Sequence, residues 1–313
     1  MVPTDADQAL LARAAEWRRA HATELLTAAT IRRFTDEHGM DFATAVLFEQ
    51  VAHEPRNAAL RVAAASAVTN PPARIRVGIV PGAFYREHAH TGADGARIAA
   101  ILARAGVTAE VIPVHSFGSL AENAAIILAW LRSAGAEPVV LLSLSKGACD
   151  VKTALATGGP AAFARVRAWI SLSGLSTGTP LVGWLRARPW RWAGVWFLLA
   201  LRGQRIRVLE ELRDGPESPL ARWPAWPATM TVVHVHGFPL RRHLLHPWAA
   251  RAYERLAPLG PNDGGGILLA EVARWPGLVY PVFGADHYLQ PARDLAGELG
   301  RVFQAVLRMS VAG

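Results

Sequence analysis

The chain has a single cysteine, Cys149, which rules out an internal disulfide and a zinc site built from several cysteines. It has two lysines, Lys146 and Lys152, and every other basic residue is arginine. No basic run is interleaved with aromatics in the way that tracks a nucleic-acid strand. The net charge of +8 therefore does not by itself indicate such a partner, and none is expected. Apolar runs of about 20 residues, the length that crosses a bilayer, are missing. No apolar stretch precedes a small-residue cleavage site near the start, and Asp5, Asp7 and Glu16 speak against a transit peptide, so a cytoplasmic location is expected. Internal repeats and low-complexity tracts are also lacking. What remains is a chain of 313 residues, 51% of them hydrophobic, long enough to bury a large core.

The first 70 residues read as a helical extension. A helical pattern begins at Leu10, Leu11, Ala14 and Trp17 and is expected to continue through Leu25, Leu26 and Ile31, then to resume over 41–50 after Gly39. Asn70-Pro71-Pro72 closes it, because consecutive prolines cannot continue a helix. From residue 71 to 313, strand and helix patterns alternate as in a mostly parallel sheet flanked by helices. Apolar runs at 77–80, 139–142, 230–236 and 278–283 read as strands. Ser119 with Glu122 forms a capping box ahead of a helix over 124–131, and a further helix runs from Asp94 to a stop at Gly106.

Ser143-Leu144-Ser145-Lys146-Gly147 lies between the run at 139–142 and a small-residue helical stretch. Small flanking residues let a backbone turn sharply from strand to helix and lift a hydroxyl above the sheet end, so Ser145 is the candidate nucleophile. The plainer reading is a serine-rich strand end that caps the next helix. A serine hydroxyl needs an imidazole to take its proton and a carboxylate to orient that imidazole. Asp263, in Asn262-Asp263-Gly264, and His287, after the run at 278–283, follow Ser145 in the order nucleophile, acid, histidine. Asp286 is a rival acid. Pro81-Gly82-Ala83-Phe84-Tyr85 follows the strand at 77–80, where the Ala83 amide, paired with that of Lys146, would face a developing oxyanion; an ordinary strand-ending turn is the alternative.

On these motifs, from about Arg74 to the C-terminus, the chain resembles the α/β-hydrolase family and more narrowly its bacterial lipases and esterases. Ser143-Leu144-Ser145-Lys146-Gly147 is similar to their G-H-S-x-G elbow, with Ser143 and Leu144 in place of glycine and histidine. Asn262-Asp263-Gly264 is similar to their acid loop, Asp286-His287 to their histidine loop, and Ile170 to Pro180 to the strand and turn after the elbow helix. Val80-Pro81-Gly82 stands where many relatives carry a His-Gly pair. The resemblance implies a serine hydrolase cleaving carboxylic esters through an acyl-enzyme, without a cofactor or metal. Thioesterase or acyltransferase activity, or a non-catalytic membrane-surface or interaction protein on the same fold, stays open.

An insertion over 180–228 has its own character. From Leu181 to Leu209 it has no acidic residue, and arginines flank Trp184, Trp190, Trp192 and the apolar run 193–201. It reads as a lid that touches lipid or as a cap packed permanently over the site, with Phe84, Trp184, Trp196 and Phe197 as candidate substrate-binding or lid residues. The partner expected is a small-molecule ester or lipid. His234 and His236 share a strand face and imitate a metal pair, but no carboxylate stands at matching spacing. His88 and His90 either line the entrance or belong to a solvated loop. Cys149, within the elbow helix, is read as packing.

Overall fold

The computed structural model describes residues 4–66, 75–201, 203–289 and 296–311; Asn70-Pro71-Pro72 lies outside them. The chain begins with helices α1 (Asp5–Ala20), α2 (Ile31–His38), α3 (Met40–Ala52) and α4 (Pro55–Ala65). Strands and helices then alternate: β1 (Arg76–Val80), α5 (Ala96–Arg104), β2 (Ala109–Val111), α6 (Leu120–Ser133), β3 (Val139–Leu144), α7 (Gly147–Ala162) and β4 (Val166–Leu172). After α8 (Pro180–Arg186), α9 (Pro189–Leu201) and the short α10 (Arg207–Glu210) come β5 (Thr231–Phe238), α11 (Pro247–Leu256), the short α12 (Leu269–Val272), β6 (Leu278–Phe283) and α13 (Ala296–Val311). Two compact units result, one from residues 69–232 with 306–313, the other from 1–68 with 233–305.

In the first unit the strands run in the order β2-β1-β3-β4, all parallel, with Val77 opposite Val140 and Leu141 opposite Trp169. Parallel strands are joined by helical crossovers that cover both faces, so their sequences read as unbroken apolar runs; β3 is buried from Val139 to Ser143. Gly78 in β1 is required by close approach: a Cβ there would lie 2.6 Å from the Trp130 ring of α6. The capping box of Ser119 and Glu122 starts α6 as expected. The run Ala193 to Leu201 lies in α9, and no helix among the described residues is long and apolar enough to cross a membrane.

In the second unit β5 and β6 are parallel, with Val233 opposite Leu278 and Phe238 opposite Phe283. Helix α3, buried along nearly its whole length, packs on β6. The buried Asn57 side chain accepts the Val279 amide at 2.8 Å and donates to the Val51 carbonyl at 2.9 Å. The helical periodicity expected through Leu25 and Leu26 does not hold, because α1 ends at Ala20. There Arg18 donates to the His21, Ala22 and Glu24 carbonyls and Thr30 accepts the Thr27 amide, side-chain bonds that compete with a continuing helix.

Candidate active site

Ser145 sits between the end of β3 and the start of α7 with φ +48°, a left-handed conformation that side chains other than glycine's seldom adopt. The strain is held from both sides. Its N–H donates to the Leu172 carbonyl at 3.0 Å, and its own carbonyl accepts from the Leu175 amide at 3.1 Å. Gly147 lets α7 approach β1, since a Cβ would lie 2.6 Å from the Val80 and Pro81 carbonyl oxygens. At Gly82 a Cβ would lie 3.4 Å from the Ser145 Cβ, so the loop after β1 lies against the serine. Among the described residues, neither the Ala83 nor the Lys146 amide donates to a backbone carbonyl. Ser143 has a partner of its own, its Oγ accepting the buried Trp169 indole N–H at 2.9 Å.

Behind the elbow lies a buried polar network. Lys146 Nζ donates to Asp150 Oδ1 at 2.7 Å, both side chains being 1% exposed. Asn123 donates to Asp150 Oδ2 at 3.0 Å and exchanges two bonds with the His115 backbone, 2.9 Å and 3.1 Å. One residue on, the Ser116 carbonyl accepts the amide of Phe84, the residue after Ala83 and itself at φ +59°. Burial pushes the Asp150 carboxyl up to about 6 against the opposing Lys146 charge and the Lys146 and Asn123 bonds. Lys152 is also buried; its ammonium donates to the Ser176 and Leu220 carbonyls and lies 4.1 Å from the Trp223 ring centroid, and burial pushes it down to about 8. The buried Cys149 thiol donates to the Leu175 carbonyl and is pushed up to about 12, chiefly by burial, so it packs as expected and is not a thiolate.

In the other unit, His287 Nδ1 donates to Asp263 Oδ2 at 2.6 Å. Asp263 Oδ1 accepts three amides in succession, from Gly265, Gly266 and Ile267, at 2.9 to 3.0 Å. Burial alone would raise the Asp263 carboxyl, but the His287 charge and bond and the backbone amides hold it below the ordinary carboxylate range. Burial would lower His287, and the Asp263 charge and bond, with the Asp286 charge, lift it above the ordinary histidine range instead. Gly265 cannot carry a side chain, since a Cβ would fall 1.8 Å from His287 Cγ. Asp286 Oδ1 accepts the Tyr288 amide at 2.9 Å.

His234 Nε2 lies 3.1 Å from the Pro276 carbonyl, and His236 packs edge-on to Trp275; burial, then the charges of His234 and His287, push His236 down to about 3. No cluster of three or more His, Cys, Asp or Glu fit for a metal exists among the described residues. Phe84 packs edge-on to Phe117, ring centroids 4.7 Å apart, in a cluster with Leu199, Val195 and Val208. Trp184 is half-buried under Arg188, whereas Trp196 and Phe197 stand exposed on α9.

No family model matches the sequence, and no curated protein matches it. Solved structures do. The chain aligns with a metagenomic carboxyl esterase, MGS0156, at a TM-score of 0.55 and 20% identity, over 77% of this chain and 76% of that one. It aligns with the mature form of the Bacillus licheniformis lipase BlEst2 at a TM-score of 0.53 and 22% identity, over 71% and 88%. The chain has the α/β-hydrolase fold.

Within the α/β-hydrolase fold, three features of this site escape a reading of the sequence. Asp150 and Asn123 join Lys146 in the buried network, and Gly265 makes room for His287. Lys146 at the N-cap of α7 and Asp150 in its first turn stand four apart, and that spacing is the signal that could have pointed to the first. Asn123 lies on another helix, 27 residues from its partner, and no local pattern marks it.

Proposed function

We propose that this protein is a serine hydrolase of carboxylic esters, with Ser145 as nucleophile, His287 as general base and acid, and Asp263 as the carboxylate that orients the imidazole. The observation that carries the reading is the elbow. Ser145 is held in a left-handed backbone between a parallel strand and a helix, beside a loop whose Ala83 amide has no backbone acceptor among the described residues. The Asp263 and His287 pair supports it further, since a proton fixed on Nδ1 makes Nε2 the basic nitrogen. The neighbouring folds of a carboxyl esterase and a lipase agree with this choice of reaction class.

In the mechanism, Nε2 of His287 takes the Ser145 proton as Oγ attacks the ester carbonyl. The Ala83 and Lys146 amides receive the oxyanion, an arrangement in which one donor is worth about 10²- to 10³-fold in rate. His287 then protonates the leaving alcohol, and water repeats the cycle to release the acid. No cofactor enters these steps. The cluster of Phe84 with Phe117, Leu199 and Val208 favours an apolar acyl chain, with 180–228 as the cap or lid over it.

Hydrolysis of a chain-length series of p-nitrophenyl esters by the purified protein and by Ser145→Ala tests this. Turnover that falls by up to about 10⁶-fold in the variant is expected. Equal turnover in both proteins, or none with any ester, would overturn the assignment.

A further inference from the structure

Helix α9 breaks the usual relation between composition and burial. From Trp192 to Leu201 it has no polar side chain, and a helix apolar all round is normally covered on all sides. Among the described residues, only one side of it is covered. Leu199 is buried, and with Val195 it packs in the cluster of Phe117 and Val208. On the outer side Trp190 is 70% exposed, Leu198 57% and Leu201 67%, and Trp196 and Phe197 are also more than half exposed. At about 1.5 Å per residue the helix is about 20 Å long, short of the roughly 30 Å hydrocarbon core, so it can lie on a bilayer but not cross one.

The surrounding charge is of one sign. Between Leu181 and Leu209 there is no carboxylate, and the arginines stand at both ends of the helix. Arg186 and Arg207 are paired outside this stretch, with Glu210 and Glu211. Arg188 and Arg191 have no carboxylate within ion-pair distance among the described residues. Their guanidinium carbons lie 3.9 Å and 4.9 Å from the Trp184 ring centroid, and that of Arg191 is 4.6 Å from the Trp190 centroid. Cations stacked on indoles beside an apolar face match the headgroup level of a membrane, where tryptophan and arginine concentrate.

We propose that the outer face of α9 is a docking surface for an anionic lipid bilayer, with the helix lying in the interface and Arg188 and Arg191 at the headgroups. A second copy of the chain is the poorer occupant. One face of a 13-residue helix offers on the order of a few hundred Å², against about 800 Å² per partner in a stable complex, and symmetry would set arginines against arginines. The inference goes beyond the ester-hydrolase reading, because docking requires no nucleophile. If that reading also holds, lipid would be delivered beside Phe84.

The test is co-sedimentation of the full chain with vesicles of phosphatidylcholine alone and of phosphatidylcholine mixed with phosphatidylglycerol. Binding to the mixed vesicles should be tighter by on the order of tenfold or more and should weaken as salt is raised. The variant Trp190→Ser/Leu198→Ser/Leu201→Ser should lose it while keeping its circular dichroism. In the wild-type protein, brominated acyl chains should quench tryptophan emission, which keeps the test independent of how the variant folds. Ser145→Ala should bind as the wild type does. No sedimentation with mixed vesicles, sedimentation undiminished in a folded triple variant, or a dimer that the triple substitution abolishes without any vesicle binding would each overturn the proposal. Ester turnover that persists without vesicle binding would sink the docking surface alone, and vesicle binding without turnover of any ester would sink the hydrolase reading alone.

Discussion

Asp263 is fully buried, yet it stays more acidic than an exposed aspartate because four donors converge on it: the His287 ring and the amides of Gly265, Gly266 and Ile267. The same carboxylate lifts His287 above the ordinary histidine range. In the role proposed for it, His287 must be neutral to take a proton, so kcat/KM should climb with pH through a midpoint above that range. In Asp263→Asn the lifting charge is gone while the burial that depresses the imidazole remains. The midpoint should then move down in pH, and kcat should drop by about 10⁴-fold through loss of the correct tautomer. A pH–rate series on both proteins checks this, and an unmoved midpoint would dissociate Asp263 from the base. Stability runs the other way: a histidine with a raised folded pKa contributes stability fully present below its unfolded value and lost as pH rises through the folded one. The gain in rate and the loss of this contribution therefore share one pH window.

At the scale of elements, what was legible in the sequence follows from burial on both faces. Strand β6 coincides with the run 278–283, and β1, β3 and β5 follow their apolar runs to within a residue or two. The end of α1 was not legible, because Arg18 bonding to three nearby carbonyls outweighs an apolar periodicity that continues past it. Nor was the environment of α9, since an apolar run fixes a helix without saying what covers it. The turn from β3 into α7 at Ser145 was legible, while the burial of the Lys146 and Asp150 charges beside it was not. Desolvation dominates Asp150, whose carboxyl is pushed up to about 6 despite the ammonium 2.7 Å away. By linkage, a carboxyl raised on folding contributes stability present below its unfolded pKa and lost as pH rises through about 6. Ionising it therefore costs stability, and the pair as a whole is replaceable. Asp150→Ala alone should cost about 3–5 kcal/mol by stranding the Lys146 ammonium, whereas Lys146→Met with Asp150→Leu should recover most of that loss. Denaturant unfolding of Asp150→Ala, of Lys146→Met and Asp150→Leu singly, and of that double variant checks this, and additive losses from the last two would mean that the two charges do not interact.

For the molecule as a whole, the charge is carried by arginine, and the only two lysines are both interior to the unit built from residues 69–232 and 306–313. That combination makes amine chemistry a probe of opening. Lys152 is pushed down to about 8, so near that pH a sizeable fraction of its amine is neutral and nucleophilic, and protonation alone does not protect it. Its protection comes from burial, from two carbonyl acceptors and from the Trp223 ring. Lys146 is protected by Asp150. Acylation of both side chains by an amine-reactive reagent at about pH 8 should therefore be slow in the native protein and should rise together with denaturant as this unit unfolds cooperatively. Peptide mass spectrometry after timed labelling reads each lysine separately. Rapid native labelling of Lys152 with Lys146 still protected would mean that the contacts of Ser176 and Leu220 open without the elbow. Helix α7, which follows Ser145, would then be anchored at its first turn alone.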